Sequence, residues 1–170
     1  MEYLGHNVSH EGVKVEPNKI KAIMDCRVPK KLNNLRGLLG LTGYYNKFVK
    51  HYGQITAPLK KLLKKEGFYW SEEATKGFEK LHMAMCTTPF LATPDLRKTF
   101  IVESDASRNG IGVVLMEDGR ALGFESFQLK GRNFLKPIYE KEILAILHAI
   151  KKWNSYLIGR HFNVKRVMIA

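Results

Sequence analysis

Two carboxylates in this 170-residue chain stand where they could do chemistry, Asp105 and Glu142. Asp105 follows the apolar, β-prone run Phe100 to Ser104 and precedes Ala106-Ser107. Glu142 lies in the first turns of a helical pattern from Pro137 to Trp153. Spacing of i±3 and i±4 gives it one face with Ile138, Ala145, Ile146, Ala149 and Trp153, whereas Glu140 sides with Ile143, Leu144 and Leu147. An acid at the end of a first strand and an acid on a crossover helix over the same sheet can meet in space. Carboxylates brought together repel unless a cation joins them, and Mg²⁺ favours that hard oxygen environment. Two such ions about 4 Å apart clamp a phosphodiester during in-line hydrolysis. Spacing alone leaves plainer readings open: a turn or cap residue for Asp105, a solvated helix acid favoured by the dipole for Glu142.

The elements that must position these acids follow from punctuation and periodicity. Tyr3 to Val8 and Val13 to Val15 read as strands around a turn at Ser9 to Gly12. Pro17 opens a helix through Ile20 and Ile23, and Pro29 ends it. Leu32, Leu35, Leu38, Leu39 and Thr42 repeat at helical spacing, and the pattern runs on through Tyr45, Phe48 and Val49. A further helix is expected over Pro58 to Lys65, and Ser71 caps one that carries Phe78, Leu81 and Met85. After Pro89 and Pro94 the pattern changes. Phe100 to Ser104, Gly112 to Met116 and Ala121 to Gln128 read as strands, then comes a helix with Ile138, Ile143, Ile146, Leu147 and Ile150 as its apolar stripe. Gly159 breaks that helix, and His161 to Ile169 reads as a fourth strand. The expected fold is mixed α+β or α/β: an N-terminal β-hairpin and helical segment over 1–88, then a β-β-β-α-β domain over 89–170. A right-handed crossover should set the last strand parallel to the first.

Charge points to the partner. The formal net charge is +12 and the pI about 9.7. Between Lys14 and Lys65 stand 13 lysines and arginines against Glu16 and Asp25 alone; the rest is nearly neutral. Such a segment favours a polyanion, nucleic acid first, and would release counterions on meeting a phosphate backbone. Lys47, Lys50, Lys60, Lys61, Lys64 and Lys65 are the candidates for phosphate contact, with a solvated helix face as the plain alternative. Cys26 and Cys86 lack zinc-like neighbours and suit a reduced, intracellular chain, cytoplasmic or nuclear. No apolar run approaches the roughly 20 residues of a membrane span, so no membrane partner is expected.

The segment from Phe100 to Ser107, then Gly110 to Leu115, resembles the first two strands of the RNase H domain in gypsy-type LTR retrotransposon polyproteins. Pro137 to Ile146 and Trp153…Tyr156-Leu157-Ile158-Gly159 are similar to that family's helix and its exit. Tyr3 to His6, Pro17…Lys19-Ile20, Leu35 to Tyr45 and Phe68-Tyr69-Trp70 resemble the reverse transcriptase segment after the polymerase palm. The resemblance spans residues 2–164 and implies a thumb or connection segment joined to an RNase H-like domain. It implies metal-dependent cleavage of RNA in RNA–DNA hybrids, with Mg²⁺ or Mn²⁺ held by Asp105 and Glu142. It also implies that the Tyr3-Leu4-Gly5 hairpin corresponds to the strand pair holding the primer terminus, and that the basic helices track the template–primer backbone.

The sequence departs from that pattern. Val167 stands where a third metal-binding Asp belongs, Arg166 adds positive charge beside it, and Cys26-Arg27 replaces a Trp-Pro. The later RNase H elements and the polymerase Tyr-x-Asp-Asp motif are not in the sequence, so the domain reads as truncated. Asp105 and Glu142 supply −2 against the +4 of two divalent ions, so second-metal affinity should collapse. Three readings result: a hybrid-specific nuclease, a non-catalytic basic nucleic-acid-binding fragment, and an inert transposon relic.

Overall fold

Burial alternates along Phe100–Ala106, and that alternation organises the second half of the molecule. Phe100, Val102 and Ser104 are buried, while Ile101, Glu103 and Asp105 are half-buried and turn the other way. The computed structural model describes residues 1–64 and 66–167. In it, β1 (Glu2–Tyr3), β2 (His6–Ser9) and β3 (Gly12–Val15) form one antiparallel sheet. Four helices follow: α1 (Pro17–Met24), α2 (Leu32–Tyr44), α3 (Tyr52–Leu62) and α4 (Glu72–Cys86). Then come β4 (Phe100–Ala106), β5 (Gly110–Glu117), β6 (Arg120–Gln128), α5 (Ile138–Lys152), the short α6 (Asn154–Leu157) and β7 (Phe162–Arg166).

The second sheet has the order β6-β5-β4-β7. Its first three strands are an antiparallel meander, and β7 joins parallel to β4 with Phe100 beside Phe162 and Ser104 beside Arg166. This is the meander and crossover expected from the sequence. One core gathers Ile23, Leu35, Tyr45, Phe48, Leu59, Leu81 and Met85 among the helices. The other lies between the sheet and α5, where Phe100, Val102, Ile111, Val113 and Leu115 meet Ala145, Ala149, Trp153 and Leu157. Burial of such side chains contributes about 1.5–3 kcal/mol each for the larger ones, so both cores are substantial.

The two halves meet where α3 lies against β6. The Gly53 amide donates to Ser126 Oγ at 2.7 Å, and Gln54 Nε2 donates to the Ile111 carbonyl at 3.2 Å. The sheet is therefore covered on both faces, by α3 and the 3-10 turn Asn46–Phe48 on one and by α5 on the other. Phe124 and Ser126 face α3, whereas Gly123, Glu125 and Phe127 face α5.

Four expectations need correction. The N-terminal hairpin is a three-stranded sheet, because Leu4 and Gly5 take positive φ and fold Glu2–Tyr3 back on His6. α2 stops at Tyr44 and a 3-10 turn follows, so the run through Val49 is not one helix. α3 begins at Tyr52 and carries Pro58 inside it, where packing of Tyr52, Gly53, Thr56 and Ala57 outweighs the lost proline N–H. On α5 the buried face is Lys141, Ala145 and Ala149, while Ile143 and Leu147 are about half exposed, at 53% and 51%. The small side chains of Ala145 and Ala149 sit at the centre of the contact with the sheet, and Leu144 and Ile150 pack at its margins. The portion of the fourth strand expected beyond Val167 lies outside the described residues.

The α3–β6 contact admits a test. A Cβ on Gly53 would stand 2.9 Å from the Ser126 carbonyl oxygen and 3.1 Å from Phe127 Cα, both backbone atoms that cannot rotate away. Alanine gains up to about 1 kcal/mol of helix propensity over glycine, but overpacking against fixed backbone costs about 1–3 kcal/mol. Gly53→Ala should therefore lose about 1 kcal/mol in urea unfolding. Stability equal to or above the parent would mean α3 does not seat on β6 as described.

Candidate functional site

Asp105 sits on β4 opposite Gly112 of β5, so both face the α3 side of the sheet. There the His51 ring lies over them, with Nε2 3.4 Å from Asp105 Oδ2. A Cβ on Gly112 would meet the His51 ring at 3.0 Å, so the glycine makes room for the imidazole. His51 takes left-handed backbone angles, φ 59° and ψ 29°, and caps α3 at its N-terminus. That geometry is uncommon for a non-glycine residue and aims the ring into the sheet instead of along the helix. Asp105 is 11% exposed, and its Oδ1 is buried with no partner among the described residues. Burial pushes the His51 imidazole below its ordinary value; Asp105 opposes that shift and Lys50 adds to it. At neutral pH the pair is thus a neutral ring beside a carboxylate, and burial outweighs the attraction that would make it a salt bridge.

Glu142 belongs to the other face. It rises from α5, beside the stripe that packs on Ser104 and Val113, and Arg166 Nε reaches its Oε1 at 2.6 Å. Arg166 pairs with Ser104 in the β4–β7 ladder, and the Val167 amide donates to the Ser104 carbonyl at 2.9 Å. The convergence of Asp105 and Glu142 anticipated from sequence therefore does not appear as a shared pocket. β4 offers Asp105 to His51, and α5 offers Glu142 to Arg166. Among the described residues no cluster of three or more His, Cys, Asp or Glu could hold a metal ion.

The lysines divide between the two ends of α3, an 11-residue helix about 16 Å long. Lys47 and Lys50 are at its N-terminal end; Lys47 lies 5.3 Å from the centre of the Phe48 ring, and burial lowers its pKa. Lys60, Lys61 and Lys64 are at the other end, and Lys65 lies outside the described residues. Sequence reasoning did not single out His51, Lys130 or Lys141. Lys130 stands two residues beyond β6 and joins Lys60, Lys61 and Lys64 around one groove. Only the pairing of α3 with β6 shows that neighbourhood. Lys141 is 4% exposed, donates to the Arg108 carbonyl at 2.8 Å and ties α5 to the β4–β5 turn.

At the N-terminal sheet, the hydroxyls of Tyr44 and Tyr45 donate to the Leu4 and Gly5 carbonyls at 3.0 and 3.2 Å. The Tyr-Tyr pair at the end of α2 thus holds the Leu4-Gly5 turn of the N-terminal sheet.

A family model described as the RNase H-like domain found in reverse transcriptase matches residues 70–164. The chain belongs to that family. It is also homologous to gypsy-type Pol polyproteins across the preceding connection segment. The retrovirus-related Pol polyprotein from transposon 297 of Drosophila melanogaster is 39% identical over 162 residues, covering 94% of this chain and 15% of the relative. The Pol polyprotein from transposon gypsy of the same organism is 34% identical over 178 residues, 96% of this chain and 17% of the relative. This chain therefore spans less than a fifth of those relatives. An uncharacterized mitochondrial protein of Arabidopsis thaliana is 48% identical over 101 residues, 58% of this chain and 64% of that protein. Among solved structures, the foamy viral protease–reverse transcriptase in complex with RNA/DNA hybrid superposes with a TM-score of 0.89 and 21% identity, covering all of this chain and 24% of that one. That likeness establishes the fold.

RNase H-like domains in general use divalent metal ions, and the donor set can be tested for fit. Asp105 keeps one unpartnered oxygen, but Glu142 is bound to a guanidinium and Val167 offers an apolar side chain. Glu103 lines the same pocket as Asp105, but with no third donor beside them among the described residues this set falls short of the ligand demand of a two-metal centre.

The His51–Asp105 contact predicts a measurable titration. The His51 ring should titrate below its ordinary 6.5, because burial prevails over the Asp105 charge. Its contribution to stability is then present above 6.5 and is lost as pH falls through the lowered folded value. Asp105→Asn removes the one contribution that raises it, so the ring should titrate lower still by NMR. An unmoved or raised value would show that the two side chains are not neighbours.

Proposed function

We propose that this chain is a nucleic-acid-holding part of a reverse transcriptase that grips a duplex through its backbone and does not cut it. The observation that carries the reading is an asymmetry of partners. Glu142 is engaged by Arg166, while Lys60, Lys61, Lys64 and Lys130 make no ion pair among the described residues. The partner proposed is an RNA–DNA hybrid or related duplex. The net charge of +12 supports a polyanion, and a foamy viral structure of the same fold was solved with such a hybrid. Phosphate contacts carry affinity without reading sequence, so discrimination among duplex sequences should be slight.

Hydrolysis is the second reading, and one atom favours it: Asp105 Oδ1 is buried without a partner, as a ligand oxygen would be before its cation arrives. Against it stands the Arg166 guanidinium, which already pairs with Glu142.

Both readings are separated by incubating the purified chain with a labelled RNA–DNA hybrid in Mg²⁺ or Mn²⁺ and by titrating salt. Binding with three to five phosphate contacts should give a log–log salt slope of roughly −3 to −4.5, with the RNA strand intact. Cleavage abolished by Asp105→Asn would replace the proposal with the enzymatic reading. Failure to bind any duplex at low salt would end it.

A further inference from the structure

Basic side chains from two distant parts of the chain converge at the end of α3. Lys60 and Lys64 are four residues apart on that segment, and Lys130 comes from just beyond β6. Together they rim a groove of about 620 Å³ whose floor includes Gly53 and Ser126. The floor is the contact between the two halves, where the Gly53 amide meets Ser126 Oγ, so the rim is fixed by backbone packing. Lysines in a last helical turn ordinarily complement the helix dipole, which accounts for Lys60 and Lys61. It does not account for Lys130, which belongs to no helix. The Lys64 ammonium presses against Lys130 and, with burial and Lys60, lowers its pKa. Crowded ammonium groups repel, and no carboxylate relieves them among the described ion pairs. An arrangement that is unfavourable alone becomes favourable when an anion with several acceptor oxygens enters it.

We propose that Lys60, Lys64 and Lys130 form one phosphate-binding groove across the junction of α3 and β6, and that it takes the sugar–phosphate backbone of a nucleic-acid duplex. The assignment rests on the nucleic-acid-holding reading and adds the place of contact. It joins one lysine of the sheet half to two of the helical half, so a phosphate there bridges both halves of the chain.

The test measures binding of a labelled RNA–DNA hybrid by fluorescence anisotropy over a range of salt. Lys130 is exposed, so its replacement leaves the cores intact. Lys130→Gln should weaken binding about three- to tenfold and flatten the log–log salt slope by about one. Lys130→Glu should weaken it further yet raise the thermal midpoint, because the crowding with Lys64 becomes an attraction. Lys151→Gln, at the far end of α5, should change neither. Wild-type affinity and slope in both Lys130 variants would overturn the groove while leaving duplex binding standing. Inorganic pyrophosphate and an acidic peptide serve as competitors. Displacement of the hybrid by submillimolar pyrophosphate would reassign the groove to a small phosphate ligand. Displacement by the peptide at similar concentrations would reassign it to a protein. If the unaltered chain binds no hybrid, the parent reading fails. The ¹³Cε resonance of Lys130, followed with pyrophosphate, then decides whether the groove takes phosphate at all.

Discussion

Neighbouring side chains on a strand leave it in opposite directions, and in β4 that rule separates Ser104 from Asp105. Everything near the candidate site follows from this division. Ser104 faces α5 and is flanked by Arg166 of β7, which reaches Glu142. Asp105 faces α3 and receives His51. Each acid is thereby paired with a basic or weakly basic group from a different element. Desolvating an unpaired carboxylate is costly, so partnering is the arrangement expected of acids that are 11% and 17% exposed. The result is a strand with a polar contact on each side, Asp105 with His51 towards α3 and the neighbouring Arg166 with Glu142 towards α5.

α3 is the element through which the two halves communicate. Its N-cap supplies the His51 ring to the sheet, its first turn lays Gly53 against β6, and its last turn carries Lys60 and Lys61 to the basic groove. A helix with this many obligations has little freedom in sequence. Pro58 in its interior and a left-handed residue at its cap are both locally unfavourable, and both are retained where packing against β6 overrides local preference.

The sequence shows the order of elements well and their contacts poorly. The strand pattern of Phe100 to Gln128, the crossover helix and the parallel return were readable from alternation, turns and handedness. The cap at Ser71 was readable too, and its hydroxyl accepts from the Ala74 amide at 3.1 Å. The start of α3 was not, because Pro58 looks like a first-turn residue and His51 carries no local signal for a left-handed cap. The face of α5 was misjudged because hydrophobicity points to Ile143 and Leu147, whereas close approach selects Ala145 and Ala149. Asp105 and Glu142 were visible as acids on the right elements. Their actual partners depend on which side of β4 each occupies and on a histidine 54 positions away in the chain, and no local pattern encodes that.

The parallel pairing of β7 with β4 has a consequence for how the molecule assembles. Phe100 and Phe162 become neighbours only after the β5–β6 meander and the whole of α5 have been laid down between them. The α3–β6 contact likewise joins residues 73 apart. Contacts that close such long loops cost more chain entropy than those within helices and hairpins, and they slow folding as a whole. The Arg166–Glu142 pair and the lysine groove both depend on these long-range closures. The features that give the chain its chemistry thus rest on the contacts that close its longest loops, where the entropy cost of closure is greatest.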